Sequence, residues 1–186
     1  MKKLSTKSLI LCSLSAALIG IGAFIKIPIP LVPPTLQIFF TTMAALILGP
    51  KMSFISVFIY LLLGLIGFPV FTNGGGLSYI FQTTFGYIIG FLVGAYITGH
   101  ISYKSNTPSF RRLIIASITG LAIVYIVGMV YFYLITNYYL NSSITVNYLI
   151  IHCCLIFIPG DVILCILSSV IAKKIKPILK KQMIIK

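Results

Sequence analysis

Acidic residues are almost missing from this sequence of 186 residues. It contains one aspartate, Asp161, and no glutamate, against fourteen lysines and arginines, and it has no tryptophan. Only 8% of the residues are charged and 59% are hydrophobic, with a mean hydropathy of +1.13. A soluble domain of this length cannot bury so much apolar surface. The composition therefore indicates an integral membrane protein, and it excludes a soluble enzyme, a secreted disulfide scaffold and a disordered tail.

Sequence motifs for catalysis and for metal binding are also missing. The chain has no phosphate-binding loop and no metalloprotease helix, and its single carboxylate and two histidines offer little acid–base chemistry. Its four cysteines lie in apolar stretches without zinc-site spacing: Cys12, Cys153, Cys154 and Cys165. We therefore predict that the protein is not an enzyme and holds neither a metal ion nor a cofactor.

The basic residues occur in small clusters between long uncharged runs. Nucleic-acid-binding proteins instead spread their basic residues over a water-exposed face. The clustered pattern is typical of a membrane protein with basic cytoplasmic edges. We expect the lipid bilayer, and not a nucleic acid, to be the partner of these charges.

The uncharged runs predict an all-α membrane protein, with six transmembrane helices in one domain over residues 1–186. A helix needs about 20 residues to cross the hydrocarbon, and residues 68–76 and 137–147 interrupt the two longest apolar stretches. The predicted spans are residues 8–26, 35–49, 52–68, 79–100, 113–136 and 148–172. The first is interpreted as a retained helix because no convincing signal-peptide cleavage site follows it.

Lysine and arginine in short loops set the orientation of such a protein. With both the N- and C-termini in the cytoplasm, thirteen of the fourteen basic residues lie inside and only Lys26 lies outside. An odd number of spans would break this pattern. The sequence therefore predicts a multi-pass protein of the cell membrane.

Asp161 falls near mid-membrane inside the sixth predicted span. A lone carboxylate at that depth costs several kcal/mol unless it faces a cavity or a partner. Pro159 and Gly160 precede it, and a proline within a helix leaves a backbone carbonyl without its usual donor. A kink beside an acid favours a polar ligand pocket. The alternative is a structural hydrogen bond to an asparagine, serine or tyrosine on another helix.

Two predicted outer loops could approach such a pocket. The first carries four prolines between Ile27 and Gln37, which favours a stiff extended segment. Gln37 then begins the second span with an amide facing protein or ligand. Lys26, beside this loop, could pair with a ligand carboxylate or could be an interfacial lysine.

The second of these loops contains Asn73 followed by Gly74, Gly75 and Gly76. Three consecutive glycines let a backbone approach a ligand closely. A flexible turn between two spans explains them equally well.

The first predicted span has small residues four apart. Ser13 pairs with Ala17, and Ala16 pairs with Gly20. Such spacing lets two helices pack closely. It indicates either internal packing or a docking face for a partner subunit.

Several segments together resemble the BioY family, the biotin-specific substrate-binding subunits (S-components) of energy-coupling-factor transporters. In order along the chain they are Pro30-Leu31-Val32-Pro33-Pro34-Thr35-Leu36-Gln37, Leu48-Gly49-Pro50, Tyr60-Leu61-Leu62-Leu63-Gly64-Leu65-Ile66-Gly67-Phe68-Pro69-Val70-Phe71, a glycine-rich stretch, Gly86-Tyr87-Ile88-Ile89-Gly90-Phe91 and Pro159-Gly160-Asp161. Each is weak alone, but their order makes the set specific.

The resemblance implies a six-helix subunit that binds biotin near the outer face, with Asn73 and Asp161 holding the ureido ring. It also implies as partners a transmembrane coupling subunit, docked on Ser13, Ala16, Ala17 and Gly20, and two ATP-binding-cassette ATPases. Aromatic walls such as Tyr79 and Tyr87 would suit the apolar part of the ligand. Lys26 is a physical choice for the ligand carboxylate and not a motif match.

Three other functions compete with this interpretation. An S-component for another vitamin, such as thiamine or riboflavin, would share the scaffold and differ in its pocket residues. A lipid-modifying membrane enzyme should carry clustered acids or histidines, which the sequence lacks. A purely structural membrane subunit would leave Asp161 without a role.

Overall fold

A computed structural model describes residues 6–27, 32–105 and 108–181 of the chain, which are nearly all helical. The α-helices are α1 (Thr6–Phe24), α2 (Gln37–Leu48), α3 (Pro50–Ile66), α4 (Phe85–Tyr103), α5 (Phe110–Leu134), α6 (Val146–Ile150) and α7 (Ile158–Lys181). A 3₁₀ turn, Leu77–Phe81, precedes α4, and π-helical turns follow α5 (Ile135–Tyr139) and α6 (Ile151–Leu155). The predicted helical class is confirmed, since the described ranges contain no strand beyond two isolated bridges.

Three helices are long and apolar enough to cross a bilayer: α1, α4, and α5 with its π-helical extension. The segment from Val146 to Leu155 and the following α7 pass the same test together, although they are bent by 41°. Helices α2 and α3 are shorter, with 12 and 17 residues. By length and composition, the described residues thus contain three or four segments that could cross a bilayer, and the count of six stays a prediction.

Helix α2 lies at the centre of the molecule. It packs against α1, α3, α4 and α7, and nine of its twelve residues are buried. Gly49 ends it with a φ of 83°, a conformation that a side chain would strain, and Pro50 then begins α3. The chain can therefore turn tightly between two helices that both pack in the core.

Glycines bring α4 and α5 into close contact. A Cβ atom on Gly94 would lie 2.9 Å from the carbonyl oxygen of Gly120, and one on Gly90 would lie 2.9 Å from the Cα of Val124. The hydroxyl of Thr98 also donates to the carbonyl of Ala116 at 3.2 Å. Small residues permit this approach because membrane helices associate through close packing. The pair forms a continuous wall for the site described below.

The last predicted span is broken. Helix α6 and its π-helical turn end at Leu155, and α7 begins at Ile158. Pro159 lies in the first turn of α7, where a missing N–H leaves no hydrogen bond unmade. The predicted irregularity is present, but the break itself lies just before Pro159. As a result Asp161 lies in the first turn of α7, and its N–H donates to the carbonyl of Phe157 at 3.0 Å.

Candidate ligand-binding site

A cavity of about 60 Å³ lies where α2, α4, α5 and α7 meet two connecting loops. The loop between α1 and α2 contributes Val32, Pro33, Pro34 and Thr35, and the connection between α3 and α4 contributes Thr72, Tyr79 and Thr84. The helices contribute Gln37, Ile38, Tyr87, Ile88, Phe91, Leu121, Val124, Tyr125 and Asp161, and the break before α7 contributes Phe157. The lining is mostly apolar, with a few polar groups that converge on the same space, as in small-molecule sites.

The loop between α1 and α2 is held at its two ends. The N–H of Ile27 donates to the carbonyl of Pro34 at 3.0 Å, and the N–H of Leu36 donates to the carbonyl of Ile25 at 3.1 Å. This short antiparallel pairing places Pro33 and Pro34 over the cavity. The predicted prolines Pro28 and Pro30 lie outside the described residues.

Asp161 supplies the carboxylate of the site. Its Oδ2 atom accepts a hydrogen bond from the hydroxyl of Tyr125 at 2.5 Å. Within the described part of the chain this is the one hydrogen bond made to the carboxylate. An ionised carboxylate is an acceptor with about four lone-pair positions. Asp161 can therefore accept further hydrogen bonds from an N–H donor in the cavity.

The other predicted helical residues also line the cavity, but their polar groups are occupied. The hydroxyl of Tyr87 donates to the carbonyl of Cys153 at 3.1 Å. The amide nitrogen of Gln37 donates to the hydroxyl of Tyr60 at 2.8 Å, and Thr35 donates to the Gln37 oxygen at 3.2 Å. Gln37 and Tyr87 thus contribute walls that are already hydrogen-bonded within the protein.

Tyr79, a predicted aromatic wall of the ligand site, lines the cavity. Its side chain is buried, and its ring lies 4.5 Å from that of Phe71. Its hydroxyl is 3.2 Å from the hydroxyl of Thr84, which also lines the cavity. The ring therefore offers an apolar face while its polar atom is paired.

The glycine-rich loop does not reach the cavity wall. Asn73 is exposed, and neither it nor Gly74 or Gly75 lines the cavity, whereas the neighbouring Thr72 does. Gly74 has a φ of 114°, and a Cβ on Gly75 would lie 2.2 Å from the carbonyl oxygen of Phe68. These two glycines are therefore required by the local turn.

Lys26 connects the two loops. Its Nζ atom donates to the carbonyl of Thr72 at 2.8 Å. It does not line the cavity but lines a second groove, of about 430 Å³, which shares Asp161 and Pro34 with the cavity. The predicted cation thus lies at the edge of the site, where it holds one loop against the other.

Sequence reasoning did not identify Tyr125 and Tyr60. The chain has eleven tyrosines, and α5 is apolar on all sides, so no periodic pattern shows which face of it meets the acid. The sequence indicated that the hydrogen-bond partner of Asp161 could be an asparagine, serine or tyrosine on another helix, but it did not identify the residue. Its identity required the packing of α5 against α7.

The small residues of α1 divide between two faces. Ala16 and Gly20 are buried, and a Cβ on Gly20 would contact the ring of Tyr60 at 3.9 Å. Ser13 and Ala17 are exposed. The structure therefore assigns Ala16 and Gly20 to internal packing and leaves Ser13 and Ala17 as the available part of the predicted docking face.

The sequence of this chain is similar to those of known biotin transporters. The chain is 39% identical over its whole length to a probable biotin transporter BioY of Lysinibacillus sphaericus, of which it covers 95%. It is 34% identical to the biotin transporter BioY of Thermotoga maritima, over 91% of this chain and 96% of that one.

The chain is also similar to a solved structure. That structure is described as the S-component for biotin from an ECF-type ABC transporter, and it aligns with a TM-score of 0.82 and 33% identity, covering 94% of this chain and 95% of the other. The model of the BioY family matches residues 1–181. The chain is therefore a member of the BioY family.

Proposed function

We propose that this protein is the biotin-specific S-component of an energy-coupling-factor ABC transporter, a multi-pass protein of the cell membrane and not an enzyme. The observation that carries the proposal is the placement of Asp161. The sole acid of a highly apolar chain lies at a cavity with acceptor positions still free. Relatives named as biotin transporters and a solved S-component for biotin support the choice of ligand.

The chemistry of biotin suits this cavity. Its ureido ring offers two N–H donors and one carbonyl, and the Asp161 carboxylate accepts from N–H. The sulfur-containing ring and the alkyl chain are apolar and match walls such as Tyr79, Tyr87 and Leu121. A ligand hydrogen bond also offsets part of the desolvation of the buried charge.

Asn73, Gly74 and Gly75 enter the proposal through their loop. Asn73 directly follows Thr72, which lines the cavity. The Asn73 side-chain amide could accept from the N–H or donate to the carbonyl of the ureido group. We assign Asn73 as the second ureido contact. Its exposed position means that the loop must turn inward when ligand binds.

Lys26 is assigned to the ligand carboxylate. It is exposed, and its present acceptor is the backbone carbonyl of Thr72. A carboxylate is a stronger acceptor for an ammonium group than a neutral carbonyl. Ligand binding would therefore exchange this partner, and the two loops would be joined through the ligand.

We further propose six crossings with both termini in the cytoplasm. Basic groups from distant parts of the chain lie at one end of the helix bundle. The Nζ of Lys176 is 3.6 Å from the ring centroid of Tyr103, and the Nζ of Lys173 is 5.5 Å from that of Phe110. The ends of α4 and α7 and the start of α5 thus share a basic side, which the positive-inside rule assigns to the cytoplasm.

Cysteine labelling in sealed cells tests this topology. A single cysteine at Asn141, between α5 and α6, should react with a membrane-impermeant reagent. One at Ser105, after α4, should react only after the cells are opened. Labelling of intact cells at Ser105 would contradict the proposed six-span orientation.

The proposed partners are a transmembrane coupling subunit and two ABC ATPases, since the chain itself has no ATP-binding motif. Ser13 and Ala17 offer an exposed small-residue face on α1. Ala17→Leu should reduce co-purification with the coupling subunit and leave biotin binding nearly intact. Ala122→Leu, on the exposed face of α5, is the matched control and should not change assembly. If both variants co-purified with the coupling subunit to the same extent, Ser13 and Ala17 would no longer be proposed as the docking face.

Equilibrium binding of labelled biotin to the purified protein in detergent tests the function itself. Unlabelled biotin should displace the label, whereas thiamine and riboflavin should not. Displacement by either of these vitamins would favour an S-component of different specificity. Absence of biotin binding by folded protein would reject the proposed function.

A further inference from the structure

Tyr125 and Asp161 form a polar pair inside an apolar wall. Tyr125 is only 7% exposed, and its hydroxyl points from α5 to the carboxylate at the start of α7. Both side chains line the cavity. The neighbouring lining residues on α5, Leu121 and Val124, are aliphatic. The pair therefore joins the apolar wall formed by α5 to the carboxylate at the start of α7.

The hydrogen bond fixes one oxygen of the carboxylate and leaves the other available. The phenol donates to Oδ2 at 2.5 Å, and no second donor to the carboxylate is present in residues 6–27, 32–105 or 108–181. Without that donor, Asp161 could rotate about its side-chain torsions or turn toward the adjoining groove, whose wall it also forms. The tyrosine thus determines which carboxylate oxygen faces the cavity.

Tyr87 also lines the cavity, but its hydroxyl makes no hydrogen bond to the Asp161 carboxylate. Its hydroxyl is bonded to the carbonyl of Cys153 at 3.1 Å. Its ring has room beside α5 because Gly128 has no side chain, and a Cβ there would lie 2.5 Å from the ring. Tyr87 and Tyr125 therefore line one cavity but bond different partners, which makes Tyr87 a matched comparison.

We propose that Tyr125 is a positioning residue for ligand recognition, acting through Asp161. It holds the carboxylate by one oxygen so that the other accepts an N–H of the ligand's ureido ring. The inference rests on the proposed biotin-binding function and deepens it. Its chemical content is general, because any cyclic urea with an N–H on this side would be recognised in the same way.

A double-mutant cycle tests whether Tyr125 acts through the acid. Tyr125→Phe keeps the ring and removes the hydroxyl, and we expect biotin affinity to fall about ten-fold, the effect of one hydrogen bond to a charged group. In an Asp161→Asn background the same change should alter affinity less than about two-fold. Tyr87→Phe should instead have the same effect in both backgrounds.

Infrared spectroscopy provides a readout that needs no ligand. Asp161 is the sole side-chain carboxyl of the chain, so its absorption can be assigned by its loss in Asp161→Asn. Tyr125→Phe should shift this band in ligand-free protein because it removes the hydrogen bond to Oδ2. Tyr87→Phe should leave the band in place, since its hydroxyl bonds a backbone carbonyl.

The outcomes separate the two proposals. A ten-fold loss that disappears in the Asp161→Asn background, together with the band shift, supports the positioning role. An equal loss in both backgrounds, or an unshifted band, overturns it and makes Tyr125 part of the cavity wall. If the parent protein bound no biotin, the proposed function would be rejected, and the infrared measurement would still decide whether Tyr125 holds the carboxylate.

Discussion

The α4–α5 pair and the broken span of α6 and α7 line the same cavity but are built differently. Gly90 and Gly94 of α4 face backbone atoms of α5, with no room for a further carbon. Gly160 of the broken span has no heavy atom within 4 Å of its would-be Cβ. The first region uses glycine for close packing, and the second uses a break in the helix to place an acid. The close glycine packing and the acid at the cavity thus lie on different helices.

The largest expected effect is on the packed pair. Gly94→Leu inserts a side chain where even a Cβ would lie 2.9 Å from the Gly120 carbonyl oxygen. Overpacking of this kind should destabilise the protein by about 3 kcal/mol or more. Thermal unfolding in detergent, followed by circular dichroism, measures it. Gly160→Leu is the control and should unfold near the parent temperature. Similar unfolding temperatures for both variants would contradict the difference in packing between Gly94 and Gly160.

Next in size is the effect of changing the acid of the broken span. Asp161→Asn keeps the shape but removes a charge-assisted hydrogen bond to the ligand, worth roughly 1.5–3 kcal/mol. Biotin affinity should therefore fall by about one to two orders of magnitude. Titration with labelled biotin measures this, while expression and helix content should not change. Unchanged affinity would make Asp161 a structural residue.

Asn73→Ala should have a smaller effect of the same sign. A loop residue can be partly replaced by water, so the expected loss is about two- to ten-fold in biotin affinity. Ser143→Ala, in the connection between α5 and α6, is an exposed control that should bind biotin like the parent. If Asn73→Ala and Ser143→Ala gave the same affinity, the glycine-rich loop would have no part in recognition.

The smallest effect is expected at Gly160. Alanine there fills open space in the first turn of α7 and favours the helix by up to about 1 kcal/mol. A slight rise in the unfolding temperature should result. Gly94→Ala should lower it, because its added carbon meets a backbone carbonyl. A loss of stability in Gly160→Ala would show that the broken span also depends on tight glycine packing.

Much of this arrangement was predictable from the sequence. Six apolar segments predicted the helices to within a few residues, with two exceptions. The fourth helix begins at Phe85 after a 3₁₀ turn, and the sixth predicted span is divided into α6 and an α7 that ends at Lys181 and not at residue 172. The position of Asp161 inside an apolar helical segment followed from the sequence, and the structure places Gln37, Tyr79 and Tyr87 in the lining of the same cavity as Asp161. The lengths of the uncharged runs and the rarity of intramembrane acids carry this information because both are local properties of the chain.

Features that depend on contacts between distant residues were not predictable. Tyr125 lies 36 residues from Asp161 in the chain and was one of eleven tyrosines. The division of Ala16 and Gly20 from Ser13 and Ala17 depends on which side of α1 meets α3, and hydropathy does not decide this on an all-apolar helix. Similarly, the hydrogen bond from Lys26 to Thr72 joins two loops whose proximity only the fold determines.

The shortness of α2 has a consequence for the distance that cargo must travel. Twelve residues at a rise of about 1.5 Å give a helix of about 18 Å, against about 30 Å of hydrocarbon. Because most of α2 is buried in protein, the bilayer need not thin to match it. In the proposed six-span arrangement, the transport step would then have to open a path along about 18 Å of helix, which is shorter than the full thickness of the hydrocarbon.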